Sequence, residues 1–160
     1  MCARWLIAGL LAAIPLAAPT ASSQPAWRSY TNVRFAFAVD YPADIFPGFT
    51  ESDNSDGATF KASAPGVELR AFGFFNIDKQ SPKAELAARY KDKQLAYTSV
   101  KRDSFIVSGT QGDAIFYDRC NFAGDRVLCF NLVYPAGQKA AWDKIVARMS
   151  RSLRTVSRGG

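Results

Sequence analysis

Large apolar residues recur at every second position in the segment that opens with Arg34. Phe35, Phe37, Val39 and Tyr41 alternate with smaller or polar residues, a period of two that predicts a strand with one buried face, ended by Pro42. Trp27–Tyr30 leads into it through Thr31-Asn32. From Pro47 to Gly57 the chain is rich in Gly, Ser, Asp and Asn without apolar periodicity, which predicts a surface loop. Ala58–Ser63 and Val67–Phe75 then read as two strands of a hairpin, joined by the turn Ala64-Pro65-Gly66.

The spacing changes at Ser81-Pro82. Serine caps free N–H groups and proline is tolerated at the first helical position, so a helix starts here. Glu85 suits the positive end of its dipole, and Leu86, Ala87 and Tyr90 fall on one face, predicting a helix from Ser81 to Gln94. Tyr97–Arg102, Phe105–Ser108 and Asp113–Cys120 read as strands, with a turn from Gly109 to Gly112. The last predicted strand, Arg126–Tyr134, stops at Pro135-Ala136-Gly137. Beyond it Trp142, Ile145, Val146, Met149 and Leu153 recur at spacings of three and four, so Lys139–Leu153 is a helix whose apolar face belongs to the core. The order of elements predicts an α+β domain: an antiparallel sheet of six to seven strands flanked by two helices.

The N-terminus stands apart from this pattern. Arg4, the apolar run Trp5–Ala18 and the small residues that follow are the three regions of a secretory signal peptide. Pro15 interrupts the run, which falls short of the ~20 residues that cross a bilayer. Ala21 and Ser23 suit the small-residue positions before cleavage, so residues 1–23 are expected to leave and residues 24–160 to form one globular domain. Cys2 lies in the charged region and should depart with the leader. Loss of Arg4 lowers the formal charge from +6 to +5, and a periplasmic or secreted location argues against nucleic acid as the partner.

Export gives the two remaining cysteines a role. A two-residue turn at Gly124-Asp125 with Ala123 and Arg126 as its closing pair places Cys120 opposite Cys129 at a non-hydrogen-bonded site, where Cα atoms are ~4.5 Å apart. That distance lies within the disulfide range, and an oxidising compartment favours the bond. The same register sets Ile115 against Tyr134 and Tyr117 against Leu132, an apolar face on the side away from the cysteines. The C-x8-C spacing differs from the C-x-x-C of redox enzymes.

The chain has no histidine, which removes Ser-His-Asp and Cys-His catalysis and His-ligated metals from within it. Ser52–Gly57 places acidic and amide side chains before a turn glycine, but Ser52 and Ser63 stand where a calcium loop of the EF-hand type needs its end carboxylates; a polar turn is expected. Ser108-Gly109 lacks the flanking pattern of a nucleophile elbow. Thr98 and Lys101, three apart in a strand, face opposite sides. Asp40, Asp44, Asp113 and Asp118 are carboxylates whose mutual separation decides whether they could act as a glycosidase pair; surface solvation is the simpler reading. No catalytic residue, metal or cofactor is expected. Lys144, Arg148, Arg151 and Arg154 continue one positive stripe along the last helix and beyond, with Arg158 further into the tail. The stripe complements the helix dipole, and its sidedness also offers a patch for an anionic surface.

The opening motif Tyr30-Thr31-Asn32-Val33-Arg34-Phe35, then Phe37-Ala38-Val39-Asp40-Tyr41-Pro42 and Phe46, resembles that of PsbP-like and DcrB-like exported domains. With Asp56-Gly57 and Ser108-Gly109 it is most similar to small uncharacterised exported proteins of Gram-negative bacteria. The resemblance implies a PsbP-like sandwich serving as an accessory or binding module, and supplies no catalytic residue. The expected function is therefore a non-catalytic periplasmic or secreted accessory or binding protein. Its partner is undefined and drawn from envelope proteins, anionic lipid or cell-wall polymer. Two alternatives stay open: a small-ligand-binding protein with a pocket between sheet and helix, and a histidine-free hydrolase.

Overall fold

Residues 25–157, the part of the chain that the computed structural model describes, form ten strands and two helices, with the helices set after runs of strands as in an α+β fold. The predicted leader, residues 1–23, and Arg158 lie outside the described residues. The first five strands are β1 (Trp27–Asn32), β2 (Phe37–Pro42), β3 (Gly48–Glu51), β4 (Gly57–Lys61) and β5 (Glu68–Phe75). After helix α1 (Pro82–Arg89) come β6 (Leu95–Lys101), β7 (Ser104–Gln111), β8 (Ala114–Ala123) and β9 (Arg126–Pro135). Helix α2 (Lys139–Ser152) and a short β10 (Arg154–Thr155) complete the described chain.

Seven strands form one antiparallel sheet in the order β3-β4-β5-β9-β8-β7-β6, and β1-β2-β10 form a smaller one. The large sheet is the middle of three layers. Its inner face carries α2 and the small sheet side by side over a shared core that includes Phe37, Phe60, Phe130, Leu132, Trp142 and Met149. Fully burying an aromatic or aliphatic side chain of this kind contributes ~1.5–3 kcal/mol, so this layer supplies most of the stabilisation. Its outer face carries α1 over a second core of Tyr90, Phe105, Val107, Phe116, Val127 and the two cysteines. A sheet with apolar cores on both faces explains the continuous apolar stretches Ala114–Tyr117 of β8 and Val127–Phe130 of β9.

The predicted architecture of two helices on an antiparallel sheet holds, with four local differences. First, Gly48–Glu51, expected within a loop, is the edge strand β3. It pairs only with β4, and Phe49, Thr50 and Glu51 are exposed, so no alternation marks it. Second, the strand expected from Arg34 begins only at Phe37, after a turn over Val33–Ala36 in which Ala36 has φ +49°, and β2 is buried on both sides rather than one, with β1 and β10 flanking it and α2 packed against it; Asp40 N–H donates to Ser152 Oγ at 2.8 Å. Third, α1 stops at Arg89 instead of Gln94. Its serine cap forms as expected, with Ser81 Oγ accepting from Ala84 N–H at 3.2 Å, but Lys91, Asp92, Lys93 and Gln94 are all exposed and offer no apolar side chain to bury. Ala87 is likewise exposed, so the buried stripe narrows to Leu86 and Tyr90. Fourth, Gly109 is not in a turn. It sits inside β7 opposite Phe116 and Leu95, where a Cβ would lie 2.2 Å from the Gln94 carbonyl oxygen. Glycine is required there by close approach of a neighbouring strand.

Candidate binding cleft on the outer sheet face

The β8–β9 hairpin organises the outer face. Ala123 pairs with Arg126 around Gly124, whose φ is +66°, and Cys120 pairs with Cys129. The disulfide joins them with Cα atoms 4.2 Å apart, in the register expected from the sequence. Both cysteines are fully buried beneath α1. Arg89, the last residue of the helix, reaches over them: Nη1 lies 3.7 Å from Cys120 Sγ and 3.9 Å from Cys129 Sγ, while Nη2 pairs with Glu85 at 2.5 Å. Its guanidinium also stands 5.1 Å above the Phe74 ring, a cation–π arrangement that holds the side chain flat against the sheet.

One strand position away from the disulfide, the same face turns polar. Thr50 pairs with Thr59, Thr59 with Arg70, Arg70 with Asn131 and Asn131 with Asp118. Directly paired residues of an antiparallel ladder share a face, so these five side chains form one row across β3, β4, β5, β9 and β8. Apolar rows hem it in, Phe72–Cys129–Cys120–Phe105 on one side and Val133–Phe116 on the other. Helix α1 covers the β8 end of the row and leaves the β4–β5 end open, where Thr59 and Arg70 are exposed.

At its covered end the row terminates on a buried pair. The Tyr90 phenol donates to Asp118 Oδ2 at 2.5 Å, and Asp118 is only 7% exposed. Burial lifts the Asp118 carboxyl above its ordinary range, against the opposing pull of hydrogen bonds from Tyr90 and Asn131 and of the nearby Arg89 and Lys93 charges. Burial also raises the Tyr90 phenol, reinforced by the Asp118 carboxylate, so Tyr90 remains a donor throughout the neutral range. The phenol stacks within the outer core, its ring parallel to that of Phe116 at 6.2 Å.

Two clefts open along this row. One, of about 410 Å³, lies over β3–β5 and is bordered by Thr50, Glu51, Asp56 and Thr59. The other, of about 520 Å³, lies between the sheet and the end of α1, against Tyr90, Lys93, Phe116 and Asp118. They share Arg70, Phe72 and Asn131 and so adjoin. The Ser52–Gly57 turn forms the rim of the first: Ser52 Oγ donates to Asp56 Oδ1 at 2.6 Å and Asn54 Nδ2 to Asp56 Oδ2 at 2.8 Å. These bonds hold the Asp56 carboxyl below its ordinary value.

The four aspartates singled out in the sequence do not converge. Asp118 is at the floor of the cleft, Asp40 lies on β2 beside Arg154 at 3.1 Å, and Asp44 and Asp113 are exposed elsewhere. Ser108 lies within β7 opposite Tyr117, and Thr98 and Lys101 are on the edge strand β6. Among the described residues no group of three or more Cys, Asp or Glu side chains is placed to hold a metal ion. Of the basic stripe, Lys144, Arg148 and Arg151 are exposed on α2. Arg148 stacks over the Trp27 ring at 4.1 Å, and Arg154 is tied to Asp40 and Ser29. The stripe therefore extends across the start of β1, on the opposite side of the molecule from the clefts. Tyr90, Arg70 and Asn131 carried no signal of their own in the sequence: Tyr90 read as a core residue, and the other two became neighbours only through pairing of β5 with β9.

No protein-family model matches the chain, and a search of curated proteins finds no relative. Among solved structures, the cyanobacterial PsbP (CyanoP) of Synechocystis sp. PCC 6803 superposes with a TM-score of 0.62 at 8% identity, over 88% of this chain and 98% of its own. The fold is PsbP-like. A protein from Bacteroides thetaiotaomicron VPI-5482 matches with a TM-score of 0.50 at 14% identity, over 82% of this chain and 49% of that one. At these identities the likeness is one of architecture.

Proposed function

We propose that this chain is a non-catalytic accessory or binding protein that works outside the cytoplasm and meets its partner on the outer face of the large sheet. The observation that carries the reading is the polar row Thr50–Thr59–Arg70–Asn131–Asp118, which sets donors and acceptors along two adjoining clefts. At the open end of this row Thr50, Thr59 and Arg70 are exposed and can exchange water for the polar groups of a bound molecule. Three observations support export: the leader-like residues 1–23, the likeness of the opening motif to small exported proteins of Gram-negative bacteria, and the buried Cys120–Cys129 disulfide. The PsbP-like fold fits an accessory role.

Site-specific photo-crosslinking in the exporting cell tests this. A crosslinker at Thr59 should give an adduct that is weakened by Arg70→Ala, and one at Ala87 on the solvent side of α1 should not give it. Equal adducts from both positions would overturn the assignment of the face, and retention of residues 1–23 in the cytoplasmic fraction would overturn export.

The basic face of α2 supports a second contact, with anionic lipid or wall polymer. Stacking of Arg148 on Trp27 holds a cation on a flat aromatic surface beside Lys144 and Arg151, an arrangement suited to an anionic interface.

A further inference from the structure

The chemistry of the joined clefts narrows what they bind. Resting on the outer-face reading above, we infer that they take an extended, uncharged glycan chain, with Arg70, Asn131 and Asp118 holding its hydroxyl groups and Phe72 receiving the apolar face of a sugar ring. Four observations lead there.

The first is charge. Arg70, Arg89 and Lys93 face Glu51, Asp56, Glu68 and Asp118 around the two clefts. Cations and carboxyls nearly cancel, so the surface offers no net field to draw in a polyanion. The charged groups act instead as strong local donors and acceptors, since a hydrogen bond to an ionised group is about twice as strong as a neutral one.

The second is the pairing of donor and acceptor at the floor. A carboxylate has about four acceptor sites; Tyr90 occupies one of those on Asp118, and Asn131 stands beside it as its partner in the neighbouring strand. An acceptor with spare capacity beside the Asn131 amide and the Arg70 guanidinium matches a hydroxyl, which both donates and accepts. Thr59 and Thr50 continue the same mixed character outward.

The third is the shared wall. Phe72 is half-buried and borders both clefts, so an apolar surface stands directly beside the polar row. A sugar ring has this division, with C–H groups on its faces and hydroxyls around its edge. A purely apolar ligand would leave the polar row unpaired, at a cost of about 1–3 kcal/mol per buried group.

The fourth is shape. From β3 to β8 the row crosses four strand spacings of ~4.8 Å, or ~19 Å, and its β3–β5 part is open. That length accommodates several sugar rings in series. An extended peptide would bind by adding to a sheet edge, where backbone groups are free; here the clefts lie on the face of the sheet, and the backbone of β4, β5 and β9 is paired on both sides.

Titration of the purified exported protein with three oligosaccharides tests the inference: the tetramer of N-acetylglucosamine, cellotetraose, and the polyanionic tetragalacturonate, each followed by backbone amide NMR. At least one neutral tetramer should produce saturable shifts at Thr59, Arg70 and Asn131. Arg70→Ala and Thr59→Ala, both at exposed positions that spare the core, should each weaken that binding, Arg70→Ala by about tenfold or more. Absence of saturable shifts with both neutral tetramers, binding of tetragalacturonate alone, or affinity unchanged in both variants would overturn the glycan assignment. The two readings fail separately: an Arg70-dependent crosslink to a protein from Thr59, with neither neutral tetramer bound, would sink the glycan and leave the binding face standing, whereas equal adducts from Thr59 and Ala87 would sink the face itself.

Discussion

Tyr90 caps the C-terminal end of α1 and donates its phenol proton to Asp118 in the middle of β8, at 2.5 Å. One hydrogen bond thus anchors the helix to the outer face and also satisfies the buried carboxylate that closes the polar row. Tyr90→Phe keeps the ring packed on Phe105 and Phe116 but leaves Asp118 short of a donor. Urea denaturation should show a loss of ~1–3 kcal/mol with an unchanged denaturant slope.

Asp118 and Asp56 should give the protein opposite pH dependences. Burial raises the folded Asp118 above its ordinary value of 3.8, so its contribution to stability is complete below that value and is lost as pH rises through the folded pKa. Hydrogen bonds from Ser52 and Asn54 lower the folded Asp56 below 3.8, so its contribution is present above that value and is lost as pH falls through the folded pKa. Stability curves measured across the acid range should therefore diverge. Asp118→Asn should gain on the wild type as pH rises from the acid side, and Asp56→Asn should lose ground over the same direction.

The Cys120–Cys129 bond closes a short loop, with a sequence separation of 9. A cross-link of that length stabilises by ~2–3 kcal/mol in the chain-entropy treatment. The Cys120→Ala, Cys129→Ala double variant should unfold at correspondingly lower denaturant, and the native exported protein should present no free thiol to a thiol-specific reagent before reduction.

Gly109 carries a structural demand that is tested by the smallest possible change. In Gly109→Ala the added methyl meets the Gln94 carbonyl and the Phe116 ring, and relief requires β6 to move. A destabilisation of ~1–3 kcal/mol is expected, with faster amide exchange in Leu95–Lys101 than elsewhere in the large sheet.

The basic face of α2 makes a salt-dependent prediction. Lys144→Ala together with Arg151→Ala should weaken co-sedimentation with vesicles containing anionic lipid, or with peptidoglycan, and added salt should weaken wild-type binding in the same way. Binding that ignores both the substitutions and the salt would remove this face as a docking surface.

How much of this was legible from residue order depends on the range of the interaction. Phe37, Val39 and Tyr41, or Trp142, Val146 and Met149, announce their elements because period-two and helical patterns record burial along a single segment, although the first pattern did not foretell that β2 is buried on both sides or that Phe35 lies in the turn before it. The Cys120–Cys129 pair was equally legible, since a two-residue turn transmits its register three residues along each strand of one hairpin. Where burial was not patterned the reading failed: β3 is an exposed edge, and Gly109 is demanded by a neighbour rather than by its own turn. The row from Thr50 to Asp118 was beyond reach for a related reason. Arg70 meets Asn131, and Asp118 meets Tyr90, only after distant strands have paired and α1 has settled over part of one face. Those placements are set by the packing of the whole three-layer domain, whereas hydrophobic periodicity reports which side of each segment is buried and not what lies opposite it.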